Sequence, residues 1–522
     1  MTDTPRRIPT GPAAIAGLVS AAAALGAAEV VGALLARPTA TPVQAVGAGV
    51  IDLTPLPLKQ FAVDVFGTAD KIVLIGGIAI LLAGAAALIG VAATRGRLFG
   101  AVGTALFITI GLTAALTRPD AGPLDALPTL AGAVAFIGVL VLSIRFPRVR
   151  GAEPDTPADG FDRRRFVLLA GTVAAASAGI GTGARLLSAA PTGGGLSPAD
   201  VRLPVPVNRA ATLPDGVDLE LDGLSPYFTP NTDFYRIDTA LSVPRIDAST
   251  WSLRIHGTGV RRELVLTYDD LLRHPELSER DITLTCVSNP VGGDYLGNAR
   301  WVGVPLASLL AEAGVRSPAE GGPADQLVSR SDDGMTIGTP VADVMDGRDA
   351  LLAVGMNGRP LPHDHGFPVR MVVPGLYGYV SACKWIVDIE LTTFDAFDAY
   401  WVPRGWAARG PVKTQSRIDT PREGADLEPG RVVVAGVAWA QHTGVDRVEV
   451  RIDDGPWTDA ELAAEGSADT WRQWVLEWDA EPGEHLLTVR ATDREGRTQT
   501  PDRAEPAPDG ATGHHHVTVT VA

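Results

Sequence analysis

DITLTCVSNPVGGDYLGNARWVGVPL, residues 281–306, decides how the chain reads. A β-like run ends at Cys286, and a loop carrying Gly292 and Gly293 follows. A lone cysteine in an apolar run is ordinarily a small buried hydrophobe. This one ends a strand beside polar and glycine positions, the setting of a thiolate that a cofactor can reach. Outward from it, VPLASLLAEAG at 304–314 reads as an amphipathic helix stopped by Gly314. TWSLRIHG at 250–257 alternates like a strand, and TYDDLLRH at 267–274 reads as a short helix with Thr267 as N-cap. Further strands are expected at 326–330, 350–354 and 368–373. Strands and helices do not alternate as βαβ units, so this part is α+β.

The chain has 522 residues and 2 Cys, too long for one ordinary domain and without a disulfide framework. Its net charge of −16 excludes a general nucleic-acid binder. That figure averages two unlike parts: +4 over residues 1–190 and −20 over 191–522. Hydrophobic residues reach 46%, the mean hydropathy is +0.15 and aromatics are only 6%. A membrane part rich in Ala, Gly, Leu and Val is therefore joined to a polar part.

Five stretches meet the requirement of about 20 apolar residues for a span: 12–36, 72–93, 98–117, 124–144 and 166–190. Residues 1–190 are thus expected to form a helical membrane domain. Glu29 is the one ionisable group well inside a span. The segment 40–69, with Pro55 and Pro57, is expected to be an outside loop holding an interfacial or re-entrant helix. Placing the N-terminus inside puts ten Arg on the inside segments against four Arg and Lys outside. An odd number of spans then carries everything after 190 out of the cytoplasm. The run DGFDRRRFVLLAGTVAAASAG at 159–179 resembles a twin-arginine signal, with Arg163 and Arg164 as the pair. No His precedes His256, and the only Met in the membrane part is the initiator, so no haem is expected there and electrons need a separate carrier.

Residues 191–205 read as a linker, 206–410 as a catalytic domain and 411–522 as a β-sandwich. The sandwich reading rests on RVVVAGVAWA, VDRVEVRID, TWRQWVLEWDA, EHLLTVRATD and HHVTVTVA, alternating runs between tight turns, which suggest an immunoglobulin-like fold without its disulfide. GHHHV at 513–517 reads as a solvated turn at the start of the last strand. In the catalytic part, GMNGRPLPHDHGFPVRMVVPGLYGYVSACKWI at 355–386 packs His363, His365, Arg370 and Lys384 among prolines and glycines. Glycines allow close backbone approach, and Arg and Lys donate to anions. The composition suits a bulky anionic cofactor bearing phosphate. Zinc is disfavoured, because His363-x-His365 lacks a second ligand pair and Cys383 follows in a strand-like run.

Taken in order, these motifs resemble the sulfite oxidase family of molybdenum enzymes, over about 205–520. The resemblance implies one molybdenum–molybdopterin cofactor per chain with Cys286 as the metal's thiolate ligand. It implies cofactor-binding roles for His365, Arg370, Lys384, Tyr235 and Asn289. The segment NTDFYRIDTAL at 231–241 matches the family's arginine-bearing run and puts Arg236 at the substrate pocket. YWVPRGW at 400–406 keeps an arginine as Arg404 and has Trp406 where the family has a pocket tyrosine; Ile237 stands where it has histidine. Cys286, Arg236, Arg404 and Trp406 are then the catalytic set. The implied function is two-electron oxygen-atom transfer on a sulfite-like or other small sulfur or oxyanion substrate. Reduction of a sulfoxide such as methionine sulfoxide is the alternative chemistry, and a non-catalytic cell-surface scaffold the alternative class. The family also implies a homodimer through the C-terminal domain.

Overall fold

The structure, a computed structural model, describes residues 195–522 throughout, and most of 9–145 and of 164–179. It divides into two compact units, Met1–Gly194 with Thr239–Val243, and Gly195–Asp238 with Pro244–Ala522.

The first unit is helical: α1 (Thr10–Leu34), α2 (Pro42–Leu53), α3 (Asp70–Arg95), α4 (Arg97–Leu116) and α5 (Ala126–Arg145). Among the described residues four helices, not five, are long and apolar enough to cross a membrane: α1, α3, α4 and α5. The expected fifth run, 166–190, falls largely outside the described residues, as does Arg163 of the arginine pair. Its described members up to 179 are helical. In the polar 40–69 segment, α2 covers Pro42–Leu53, and most of 56–69 lies outside the described residues. The 12 residues of α2, opened by Pro42, are too few to cross about 30 Å of hydrocarbon. Small residues set the packing. A β-carbon at Gly17 would stand 1.9 Å from the Ala86 carbonyl oxygen, and one at Gly90 2.2 Å from that of Ala13, so α1 and α3 touch backbone to backbone. Where α5 begins, Arg37 donates to buried Asp125 at 2.8 Å.

The second unit opens with two sheets. Their strands are β1 (Ser252–Gly257), β2 (Leu264–Thr267), β3 (Ser278–Thr285), β4 (Leu296–Pro305), β5 (Gln326–Ser331), β6 (Thr336–Pro340), β7 (Leu351–Met356), β8 (Arg359–Pro360), β9 (Arg370–Val372) and β10 (Ile386–Thr392). One sheet runs β2-β1-β10-β5-β6, with β1 and β10 parallel. The other runs β3-β4-β7-β8, with β9 also on β7. A shared core takes Leu253, Trp301, Leu352, Phe367 and Ile389. β7 is LLAVGM with every residue buried, because it is central and covered on both faces. Four short helices join the strands: α6 (Tyr268–Leu272), α7 (Leu306–Glu312), the single turn Val341–Val344, and α8 (Gly378–Ser381). Thr267 caps α6 as its sequence suggests: Oγ1 accepts the Asp270 N–H at 3.2 Å, and the Asp270 carboxylate accepts the Thr267 N–H at 2.8 Å. α7 stops at Gly314, φ 75°. Of the expected linker, Val201 and Leu203 pack against the core.

Nine more strands follow: β11 (Gln415–Thr420), β12 (Ala425–Leu427), β13 (Gly430–Trp439), β14 (Val445–Ile452), β15 (Trp457–Asp459), β16 (Glu461–Leu462), β17 (Arg472–Ala480), β18 (Gly483–Asp493) and β19 (His515–Val521). They form sheets β11-β13-β17-β16 and β12-β19-β18-β14-β15. Both contribute to one apolar cluster that includes Ile418, Val434, Val450, Trp474, Leu487 and Val517. His514–His516 is not a solvated turn. His514 donates to the Gln499 carbonyl at 3.0 Å and sets its ring 5.5 Å from that of Trp457; the Nδ1 of His515 accepts the Ile418 N–H at 3.0 Å. Pairing of β19 with β18 draws His514 and His515 into the fold and leaves His516 exposed.

Candidate active site

Strands β3 and β4 pair in register from Ser278↔Gly303 to Thr285↔Leu296, leaving 286–295 as the connecting loop. The Cys286 N–H donates to the Tyr295 carbonyl at 2.9 Å, which closes the loop at its neck. Asn289 stitches it further: its N–H donates to the Cys286 carbonyl at 3.1 Å and its Oδ1 accepts the Tyr295 N–H at 2.8 Å. Sγ of Cys286 is 3.4 Å from the donating Ser288 N–H. The thiol is buried, and burial pushes its pKa up against that hydrogen bond. Burial also raises the pKa of Tyr235, and the proximity of Cys286 adds to the rise. A β-carbon at Gly378, which starts α8, would stand 3.6 Å from the Tyr235 hydroxyl and 3.7 Å from the Thr285 carbonyl. Cys286, Tyr235 and the start of α8 are therefore neighbours.

The second cluster comes from the 363–385 segment and meets the 231–238 stretch. Nε2 of His365 donates to the Asn231 carbonyl at 2.8 Å, which leaves Nδ1 as an acceptor. Burial brings the His365 pKa down to about 4, so the ring is neutral near pH 7. Arg370 is 5% exposed; Nη1 donates to the His365 carbonyl at 3.3 Å and the guanidinium lies 5.0 Å from the Trp301 ring centroid. Burial lowers its pKa to about 10, so it stays charged. Nζ of Lys384 donates to Asp238 at 2.7 Å and to the Asp364 carbonyl at 3.3 Å. Burial pulls its pKa down to about 8, against the pull of Asp238. The Asp238 carboxylate, its side chain 3% exposed, also accepts from Nε of Arg236 at 2.9 Å. Arg236 keeps 35% of its side chain exposed and lies 3.9 Å from Asp364. After Lys384 the backbone turns through Trp385 at φ 53°, a conformation costing about 1–3 kcal/mol for a bulky residue. Burial of the indole and its bond to the His363 carbonyl at 2.9 Å hold it there.

Arg404 and Trp406 form a third group. Arg404 donates to the Tyr400 carbonyl at 2.6 Å with its guanidinium over the Tyr400 ring. Trp406 is buried, 5.9 Å from the Tyr379 ring and 6.4 Å from that of Trp401. Tyr379 belongs to α8, so Trp406 reaches the Cys286 neighbourhood through that helix. Of the nine expected residues, the structure brings Arg236, His365, Arg370 and Lys384 around Asp238 and Trp301. It sets Cys286, Asn289 and Tyr235 together, and ties Tyr235 to Arg370 electrostatically. Sequence reasoning missed Asp238, Asn231 and Trp301. Asp238 stands two places after Arg236 in a segment already singled out, but Trp301 carried no signal beyond its type.

The donor set suits an anionic heterocycle. Nε of Arg370 and Nδ2 of Asn289 are both buried with no acceptor, as is Nε1 of Trp406. Orphaned buried donors of this kind mark where a partner belongs. Gly366, at φ 107°, brings the backbone close, with a β-carbon there only 3.1 Å from Cβ of both Arg370 and Lys384. Among the described residues no three His, Cys, Asp or Glu side chains gather as a metal cage. Any metal here would therefore depend on a carrier molecule for most of its ligands.

An oxidoreductase molybdopterin-binding domain profile matches residues 240–401. Mitochondrial sulfite oxidase of Mus musculus is 32% identical over 323 residues, 54% of this chain and 58% of that protein. Sulfite oxidase of Gallus gallus is 31% identical over 325 residues, 54% of this chain and 69% of that protein. The crystal structure of the sulfane dehydrogenase SoxCD from Paracoccus pantotrophus aligns with TM-score 0.47 at 26% identity, over 57% of this chain and 84% of that one. The chain thus spans little more than half the length of its mammalian relatives. With the avian protein covered over more than two thirds of its length, this chain belongs to the sulfite oxidase-like family of molybdopterin-binding oxidoreductases.

Proposed function

We propose that the chain is a membrane-anchored oxidoreductase that carries out two-electron oxygen-atom transfer at a molybdenum centre ligated by Cys286. The reading rests most heavily on Arg370, a buried cation with an orphaned donor, set beside Lys384 and neutral His365. In this reading Arg370 and Lys384 hold the anionic cofactor, His365 Nδ1 accepts a hydrogen bond from it, and Asn289 Nδ2 donates to it. The bound metal supplies the redox chemistry. Asp238 keeps Lys384 and Arg236 charged and oriented, and half-exposed Arg236 meets the anionic substrate. Trp406 and Arg404 wall the pocket through α8.

A small sulfur oxyanion such as sulfite suits these cations. Sulfite and water would yield sulfate, two protons and two electrons, the electrons leaving on a separate carrier. Taken with the arginine-bearing fifth segment as a fifth crossing beyond the four described spans, the excess of arginine on alternate loops supports an inside N-terminus and a catalytic part outside the cytoplasm. The two facing C-terminal sheets suit an immunoglobulin-like sandwich through which two copies associate.

Full-length protein purified in detergent from cells supplied with molybdate should carry about one Mo per chain, the stoichiometry of a single carrier-bound site. It should reduce an artificial acceptor on addition of sulfite. Turnover only with methionine sulfoxide and a reduced dye would replace oxidation by sulfoxide reduction, and absence of Mo would sink both. Cys286→Ala should keep its pterin, measured as the oxidised fluorescent derivative, and lose turnover by at least about 10²-fold. Undiminished turnover by that variant would remove the ligand assignment.

A further inference from the structure

β3 is an edge strand of its own sheet, and an uncovered edge leaves unpaired backbone groups. Here the edge is closed by the C-terminal β region. The Thr283 N–H donates to the Asp469 carbonyl at 3.0 Å, and the Trp471 N–H to Thr283 Oγ1 at 2.8 Å. Nε2 of Gln441 donates to the Thr283 carbonyl at 3.3 Å and to Thr285 Oγ1 at 3.0 Å. The strand that ends at Cys286 is therefore bonded on one side to β4 and on the other to the C-terminal region.

The loop beyond it is held as well. Arg417 of β11 is 6% exposed and every guanidinium nitrogen is engaged. Nη1 donates to the Gly293 carbonyl at 2.7 Å and to the Asp294 carboxylate at 3.1 Å. Nη2 donates to Ser225 Oγ at 3.0 Å, and Nε to Asp419 Oδ1 at 2.6 Å. The other Asp419 oxygen accepts the Ser225 N–H at 2.9 Å. Asp294 is almost wholly exposed, so solvent screens that pair and the Gly293 bond is the one that matters. Beside it, a β-carbon at Gly292 would stand 2.0 Å from the His515 ring of β19. A buried guanidinium fixed by a buried carboxylate is a rigid post, because losing either partner leaves an uncompensated charge.

We infer that Arg417 is a positioning residue for the Cys286 loop, holding it through the Gly293 carbonyl, so that the C-terminal β region sets where the Cys286 sulfur stands. The catalytic consequence rests on Cys286 being the metal ligand; the holding of the loop rests on the hydrogen bonds alone. A purely stabilising Arg417 would lower the melting temperature and open the fold as a whole. A positioning Arg417 opens one loop.

The chain has two cysteines, both buried, so each reports on its own surroundings. In the cofactor-free full-length protein, Arg417→Gln should speed iodoacetamide labelling of Cys286 about tenfold and leave Cys383 unchanged, with Arg417→Lys between. Equal acceleration of both thiols, or of neither, overturns the inference. In the loaded protein, Arg417→Gln should retain its metal, shift the thiolate-to-metal absorption, and lower kcat with KM nearly unchanged. Local labelling with unaltered absorption and kcat also overturns the positioning role. If Cys286→Ala keeps full turnover, it is the ligand assignment that fails, and the labelling contrast still decides whether Arg417 holds the loop.

Discussion

Lys384, Asp238 and Arg370 show how single residues are tuned here. Lys384 has its pKa lowered from 10.5 to about 8 by burial, so its charge is nearly complete well below pH 8 and is lost as pH rises through that value. Under the proposed function, an anionic pterin would need that charge. Its retention by the full-length protein, followed by equilibrium dialysis, should weaken above pH 8 by up to about tenfold per pH unit. Lys384→Met should flatten that dependence and lower affinity throughout. Arg370 keeps a buried Nε without an acceptor. Arg370→Met should therefore raise the stability of the cofactor-free chain by about 1–3 kcal/mol in thermal or urea melts, while pterin content falls to near zero. A destabilised Arg370→Met chain would show that the Trp301 stack and the His365 carbonyl already compensate the guanidinium. The types and places of these residues were legible, because His365, Arg370 and Lys384 lie within one short segment. Asp238 was not, because a carboxylate in a loop gives no sign that two cations will converge on it.

At the scale of elements, the β3–β4 hairpin and its loop hold Cys286, the proposed metal ligand. Gly292 has φ 77° and faces His515 without room for a β-carbon. Gly292→Ala should cost about 1–3 kcal/mol from the left-handed backbone and the crowding, and should raise Cys286 reactivity in the same labelling assay. A neutral effect would mean that His515 swings aside without moving the loop. The helices α6 and α7 were legible to within a residue or two because their stops are local: Thr267 at one end, Gly314 at the other. The strand candidates at 326–330 and 350–354 correspond to β5 and β7 for the same reason. The histidine run at 514–516 misled, because a polar triplet in sequence says nothing about which strand will pair beside it. Of the fifth apolar run, the described residues up to 179 are helical, and the rest lies outside the described residues.

At the scale of the whole molecule, the chain joins an apolar helical unit to an acidic one that holds the oxidoreductase site. Truncation after residue 410 would expose the β3 edge and remove Arg417. The shortened chain should aggregate or label rapidly at Cys286, and retain no pterin, as checked by gel filtration and labelling. A soluble, pterin-loaded 1–410 chain would overturn the dependence of the site on the C-terminal region. Four of the five apolar runs, the α+β character, the C-terminal strands and the segment that gathers His365, Arg370 and Lys384 could be read from the residues in order. Period, composition and motif spacing are properties of neighbouring residues and survive in one dimension. The pairing of Asp238 with both Arg236 and Lys384, the placing of Trp301 under Arg370, and the reach of Arg417 to a carbonyl 124 positions away arise only from the folded arrangement. Those pairings depend on strand register and on which sheet covers which edge, and a linear pattern carries neither.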